Sequence, residues 1–219
     1  MSGLLKRHKK VFMIGGFVAG AVLVAFGAVS IWMGATGLGT VKDNLKQEKI
    51  TAGDDMSPAV IKAAWAETGI TVPVALPTCS LTPEQQINSG SEARCFAQYI
   101  RIHALESSQG LTYAEMGRFL AAADPTNPAG TNDPAAAVTD EEGKPVPNAA
   151  RNTWVTATAL STALNVSYFA ENVAKFGIVV GIALLLAGLG FVILAVSALA
   201  PYKAEAAVPA ATQKAAPVS

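Results

Sequence analysis

Two histidines, two cysteines and one acidic cluster are the side chains with which this chain could build a reactive or metal-binding site. His103 with Glu106 one helical turn later would supply half of a metal site, but a two-His-one-carboxylate centre needs a second imidazole. The other histidine, His8, sits in a basic N-terminal cluster, and the topology derived below puts it on the opposite side of a membrane. A histidine held in an ion pair or against a helix bundle is therefore the plainer reading of His103. Asp133, Asp140, Glu141 and Glu142 are rich enough in oxygen for calcium, yet they lack the regular spacing of a calcium loop and read as a solvated acidic loop. No Ser/His/Asp arrangement, phosphate-cradling glycine loop or paired-thiol motif occurs. The expectation is a non-catalytic protein with no metal and no cofactor. Cys79 and Cys95, fifteen residues apart by intervening count, read as a disulfide in an oxidising compartment.

These residues have to be positioned by a chain that is 51% hydrophobic and only 15% charged. Its apolar residues concentrate in two blocks, with no charge from Val11 to Val41 and none from Phe176 to Tyr202. About 20 apolar residues cross the roughly 30 Å of a bilayer core, so each block is long enough, and transmembrane helices are expected at 11–33 and 176–199. The first block is too long for the apolar core of a cleavable signal, about 7 to 15 residues, and reads as an anchor. Lys6, Arg7, Lys9 and Lys10 precede it without an acid, which places the 1–10 tail in the cytoplasm. Lys203 and Lys214 against Glu205 place the Ala/Pro-rich tail 200–219 there too. The segment 34–175 is then extracytoplasmic, with ten Lys or Arg against fifteen Asp or Glu. An acidic outer segment disfavours nucleic acid as a partner; membrane lipid and other membrane helices are the partners that fit. Neither span carries an ionisable residue before Tyr202, so the pair makes a poor ion path and a good anchor in the plasma membrane.

The fold class expected is an all-α membrane protein with two spans flanking a small helical outer domain. Gly16 and Gly20 in the first span and Gly177 and Gly181 in the second have GxxxG spacing, which lets helices approach closely, whether each other or foreign ones. Val41 and Leu45 let the first helix run past the membrane before the chain turns extended at Ile50. Ser57-Pro58 starts a helix over 58–67 that stops at Gly69. The proline-broken run Ile70 to Pro77 is extended. Thr82 to Gln85 forms a short turn, and a firmer helix runs from about Ser91 to Ser107. Thr112 with Glu115 makes a capping box and predicts a further helix to about Ala123, turning Tyr113, Met116 and Leu120 to the core. The 124–148 stretch has no large hydrophobe except Val138 and is expected to be a mobile loop. Asn148 then caps one long helix to Leu199. In it Trp154, Ala157, Ser161, Leu164 and Tyr168 form one seam, while Val155, Ala159, Thr162, Val166, Phe169, Val173 and Phe176 form a second. Tyr99, His103, Tyr113 and Trp154 are candidates for a partner or ligand face.

Several short motifs recur together: Leu45-Lys46-Gln47-Glu48-Lys49-Ile50-Thr51, His103-Ala104-Leu105-Glu106, Gly110-Leu111-Thr112-Tyr113-Ala114-Glu115-Met116 and Asp124-Pro125, before an Ala/Ser/Thr-rich helix that enters a glycine-containing span. In this the chain resembles a family of small two-span actinobacterial membrane proteins often labelled "aromatic ring-opening dioxygenase". One histidine on each side of a membrane does not supply such an active site. The resemblance instead implies an accessory subunit of the respiratory cytochrome bcc-aa3 supercomplex, a component of the electron transport chain. An extracytoplasmic ligand-binding or sensing module is the competing expectation.

Overall fold

A computed structural model describes the backbone of residues 2–197 and the side chains of residues 10–197. The expected cytoplasmic tail 200–219, the end of the second span and the His8 side chain lie outside the described residues. Four helices carry the chain: α1 (Ser2–Gln47), α2 (Pro58–Glu67), α3 (Gly90–Ser107) and α4 (Ala149–Ser197). Two of them, over Lys10–Gln47 and Ala149–Ser197, are long and apolar enough to cross a membrane. By contacts the described residues form two units, 2–29 with 180–197, and 30–179.

In the first unit α1 and α4 pack through glycine. A Cβ added at Gly20 would stand 2.8 Å from the carbonyl oxygen of Gly188, and one at Gly27 would stand 2.7 Å from that of Gly181. Gly16 lies against Ala195 at 3.4 Å. In the second unit Gly34 approaches the carbonyl oxygen of Ala174 within 2.6 Å by the same measure, and Gly177 faces Ser30 more loosely. The expected glycines therefore serve packing within the chain, and Gly27 and Gly34 add two contacts that a search for GxxxG does not find. Gly20, Gly27 and Gly34 repeat every seven residues, as do Ala174, Gly181, Gly188 and Ala195. A seven-residue repeat keeps one stripe of a helix facing one partner.

The second unit adds a stapled core. Ser57 caps α2 by accepting from the Val60 N–H, and Gly69, at φ +70°, lets the chain leave it. Ile61 is fully buried beneath α2. The chain at 50–56 pairs with 81–87 through Ile87 N–H to Ile50 O, Ala52 N–H to Gln85 O and Leu81 N–H to Met56 O. That pairing ties the C-terminal end of α1, where Leu45 is buried, to the start of α3. Ser89 and Glu92 form a complete capping box on α3, which begins one residue before the expected Ser91. Cys79 and Cys95 are disulfide-bonded, joining the extended stretch before Leu81 to α3. Nearby, the Tyr99 hydroxyl donates to the Cys79 carbonyl at 2.6 Å.

The helix expected from Thr112 to Ala123 does not form. Its capping box is present, but only a 3-10 turn over Tyr113–Glu115 follows it, and Met116 is already extended. The backbone beyond pairs outward: Gly117 N–H to Ala129 O, Phe119 with Thr131 in both directions, and Leu120 N–H to Val146 O. Gly117 lies so close to Thr131 that no side chain fits there. Met116 is buried as expected, whereas Tyr113 is exposed.

The segment 124–148, expected as a mobile loop, follows a defined hydrogen-bonded path. Asn148 is buried; its side-chain amide donates to the carbonyls of Gly117 and Pro128, and its oxygen accepts from the first N–H groups of α4. Hydrophobic content alone was a poor guide because polar bonds, with Pro and Asx turns that lower the cost of ordering, hold this stretch. Of the four acids considered for calcium, Asp133 caps the turn at Ala135 and Asp140 accepts from the backbone of Glu142 and Lys144. They stabilise turns and do not converge.

Two outcomes follow for stability. Gly27→Ala, which drives a methyl into the Gly181 backbone, should destabilise the folded protein in detergent by about 1–3 kcal/mol. Gly39→Ala, with nothing within 4 Å, should instead be neutral or stabilising by up to about 1 kcal/mol; paired denaturation curves check the contrast. Replacing Cys79 and Cys95 by Ser should cost roughly 3 kcal/mol, read as a lower melting temperature that no longer responds to reductant.

Candidate interaction face

The first half of α4, from its cap Asn148 to Lys175, carries two seams with different fates. The first, with Trp154, Ser161 and Tyr168 seven residues apart, is covered by α3. Gly90, Ala97 and Ala104 on α3 have the same spacing and run antiparallel to it. Gly90 lies on the Tyr168 backbone, with its missing Cβ only 2.7 Å from the Tyr168 Cα. Ser161 donates its hydroxyl to the Ala97 carbonyl at 3.4 Å, and Ala104 shares a buried cluster with Trp154. Two arginines of α3 lie over aromatics of α4, Arg94 at 4.6 Å from the Tyr168 ring centre and Arg101 at 5.4 Å from that of Trp154.

A carboxylate closes this contact. Glu171 on α4 is 7% exposed, accepts from the Gly90 N–H at the start of α3 and pairs with Lys175 one turn on. A helix N-terminus favours a negative charge, so the acid caps a helix other than its own. Burial pushes the Glu171 carboxyl up; the hydrogen bonds from Lys175 and Gly90, with the Lys175 charge, overcome it and hold the group below the usual carboxylate range.

The second seam has no cover. Val155, Ala159, Thr162, Val166, Phe169, Val173 and Phe176 are all exposed, with Val166 at 58% and Phe169 at 68%. Their spacing alternates four and three residues, the pattern with which one helix lies along another. Beside the lower part of this seam, a groove of about 500 Å³ opens between α1 and α4, lined by Met33, Gly37, Phe169, Val173 and Gly177 among others. Small residues at Gly34, Gly37, Ala170 and Ala174 were the sequence signal for it, but as a groove they are recognisable only once the two helices are paired.

The four side chains singled out from the sequence do not form one site. Tyr99 is fully buried, and burial, with the charge of Asp55 second, pushes its phenol up. Trp154 lines a groove of about 270 Å³ with Arg101, and His103 lines an adjoining one of about 630 Å³ with Ile100 and Leu160, Ala104 and Ala157 belonging to both. Tyr113 is exposed beneath the Arg151 guanidinium, 4.0 Å from its ring centre. His103 stands between two acids, its Nε2 at 2.9 Å from Asp55 and its Nδ1 at 2.9 Å from Glu106. With both nitrogens so engaged the three groups form a string, and among the described residues no cluster of His, Cys, Asp or Glu is arranged to hold a metal ion. The string ties the chain before α2 to α3.

Because the Glu171 carboxyl titrates lower in the folded protein than in the unfolded chain, its contribution is complete above the unfolded value. It is lost as pH falls through the folded one. Amide exchange at Gly90 should accelerate, relative to other α3 amides, on acidification from neutral pH towards pH 3. Glu171→Gln should abolish that pH dependence and lower stability by roughly 1.5–3 kcal/mol at neutral pH, the worth of a hydrogen bond to a charged group.

No protein-family model matches the chain, and neither a curated protein nor a solved structure is similar enough to match it.

Proposed function

We propose that this protein is a non-catalytic accessory subunit of a plasma-membrane assembly. In this reading two spans anchor it with both termini in the cytoplasm, and its stapled helical head stands outside. The observation that carries the reading is the uncovered seam of α4. From Val155 to Phe169 it is surrounded by Asn152, Thr156, Thr158, Asn165 and other polar residues, so this part of the helix stands in water beyond the span. Each Val or Phe left exposed there forgoes about 1.5–3 kcal/mol of burial, and exposed apolar patches with a polar rim mark interaction surfaces. The seam continues down the same helix towards the span, so its partner is another integral membrane chain with an outer part of its own. The resemblance drawn from the sequence motifs makes the respiratory cytochrome bcc-aa3 supercomplex the assembly of choice.

Isolation of the tagged protein from its native membrane in mild detergent checks this reading. Membrane-protein companions should co-purify at fixed stoichiometry, and Val166→Asp with Phe169→Asp should release them while the disulfide-stapled head stays folded. Recovery of the wild-type chain as a lone monomer would overturn the proposal.

A further inference from the structure

We infer that the partner meets this protein with an acidic segment, whose carboxylates lie along the row Arg94, Gln98 and Arg101 at the edge of the groove between α3 and α4. This rests on the docking reading above, because Thr162 belongs both to that groove and to the open seam of α4, and it adds the chemistry of the partner.

Arg94, Gln98 and Arg101 are all exposed and follow one another at four- and three-residue steps, so they form one stripe of α3. Each guanidinium is held by a ring of α4, Arg94 by Tyr168 and Arg101 by Trp154. Stacking engages the flat face of a guanidinium and leaves the N–H groups at its edge, which fit a carboxylate in a two-pronged bond. Among the described residues the ion pairs are His103 with Asp55 and Glu106, Lys144 with Glu142, and Lys175 with Glu171, so no carboxylate is paired with either arginine. The acids of α3 are engaged elsewhere, Glu92 in the capping box and Glu106 with His103. On α4 there is no acid before Glu171. A third arginine, Arg151, stands one turn before Trp154 on α4, and its buried Nε has no partner.

The groove, about 270 Å³, is also lined without any acid. Ser161, Thr162 and Asn165 donate to the backbone carbonyls of Ala97, Thr158 and Ser161. That leaves Arg101, Gln98, Thr158 and the Trp154 indole N–H as the donors that meet an occupant. A donor-rich surface with two fixed positive charges calls for an anionic acceptor. This character runs against the surrounding segment, in which residues 34–175 hold ten Lys or Arg against fifteen Asp or Glu. The groove is smaller than the roughly 300–1,000 Å³ of small-molecule sites, and the arginines stand about 10 Å apart along α3, too far for one carboxylate to bridge. Two carboxylates at that spacing are what acids seven residues apart on a helix, or three apart in an extended chain, provide.

The same geometry argues against two other occupants. A second copy joined about a two-fold axis would present the same patch, which has no carboxylate to offer the arginines. Lipid headgroups form a layer about 5–8 Å deep on each side of the hydrocarbon. Trp154, which holds Arg101, precedes the start of the charge-free block at Phe176 by about 33 Å of helix, well beyond that layer.

Zero-length cross-linking of the full chain in native membranes tests the assignment. Arg94→Lys and Arg101→Lys each keep the charge and supply an amine, which a carbodiimide joins directly to a carboxylate in contact with it. Each variant should give a heavier product absent from the wild-type chain, whose new amide maps to an Asp or Glu of a different protein. Arg118→Lys, at a position likewise exposed over a ring but outside the groove lining, should not give it. Arg94→Glu with Arg101→Glu should lower the yield of co-purifying companions at least tenfold, whereas the two lysine substitutions together should retain them. Arg94→Gln with Arg101→Gln serves if the double reversal does not fold. Absence of the amide at both lysines, an unchanged companion yield after charge reversal, a product of twice the chain mass, or loss of an anionic lipid in place of a protein companion would each overturn the proposal. If any of these accompanies stoichiometric companions on the wild-type protein, the arginine assignment alone fails; a wild-type monomer removes both readings.

Discussion

The fold depends on one contact in which a helix begins directly on the backbone of another. Gly90 is the first residue of α3, and a Cβ there would collide with Tyr168 and Ser167 of α4. With both backbones in touch, the free N–H at Gly90 is shut off from water and needs an acceptor from the protein, which Glu171 supplies. The acid is itself buried and would be costly without Lys175. One glycine, one carboxylate and one lysine thus fix where α3 starts on α4, and the seven-residue repeat of small residues on α3 sets its course from there. The disulfide and the Tyr99 hydroxyl then hold the extended stretch to the other face of α3.

α4 serves as a shared surface for this arrangement. One stripe of it is consumed by α3 through Trp154, Ser161 and Tyr168. Another, made of Ala174, Gly181, Gly188 and Ala195, is consumed by the glycines of α1. The α1 contact uses small residues because dispersion between close backbones replaces the hydrophobic effect where helices are surrounded by apolar solvent; in the α3 contact the small residues Gly90, Ala97 and Ala104 make room for Trp154, Ser161 and Tyr168. A third stripe, from Val155 to Phe176, is exposed and belongs to neither contact.

Much of this was legible in the sequence because it depends on local rules. The start of α2 at Ser57-Pro58, the cap at Asn148, the cysteine pair and both long apolar helices follow from capping chemistry, spacing and composition. The seams of α4 were equally readable, but which one the chain covers was not, since that depends on how α3 returns to it. The error at 112–123 has a definite cause. Thr112 and Glu115 satisfy a capping box over a single turn, and nothing in those four residues reveals that Gly117 and Phe119 will find partners at Ala129 and Thr131. Non-local backbone pairing also explains the ordered path of 124–148. The role of Glu171 was hidden for the same reason: an acid four residues before a lysine on a helix is an ordinary surface pair until another helix terminus arrives beside it.

The placement of the reactive side chains bears on function as much as the open seam does. His103 spends both ring nitrogens on Asp55 and Glu106, the cysteines are bonded, Asp133 and Asp140 hold turns, and Arg94, Arg101 and Arg151 lie over aromatic rings. Each of these groups is tied to this chain's own fold. What the first half of α4 offers instead is a face without charge between Arg151 and Glu171, shaped as a ridge beside a groove. An apolar ridge recognises by shape, and shape recognition over many residues requires that the ridge be straight and held. Within 30–179, α3 along Trp154, Ser161 and Tyr168 and Gly34 at Ala174 hold that ridge from its other faces, so the internal packing and the proposed docking surface are two consequences of the same helix.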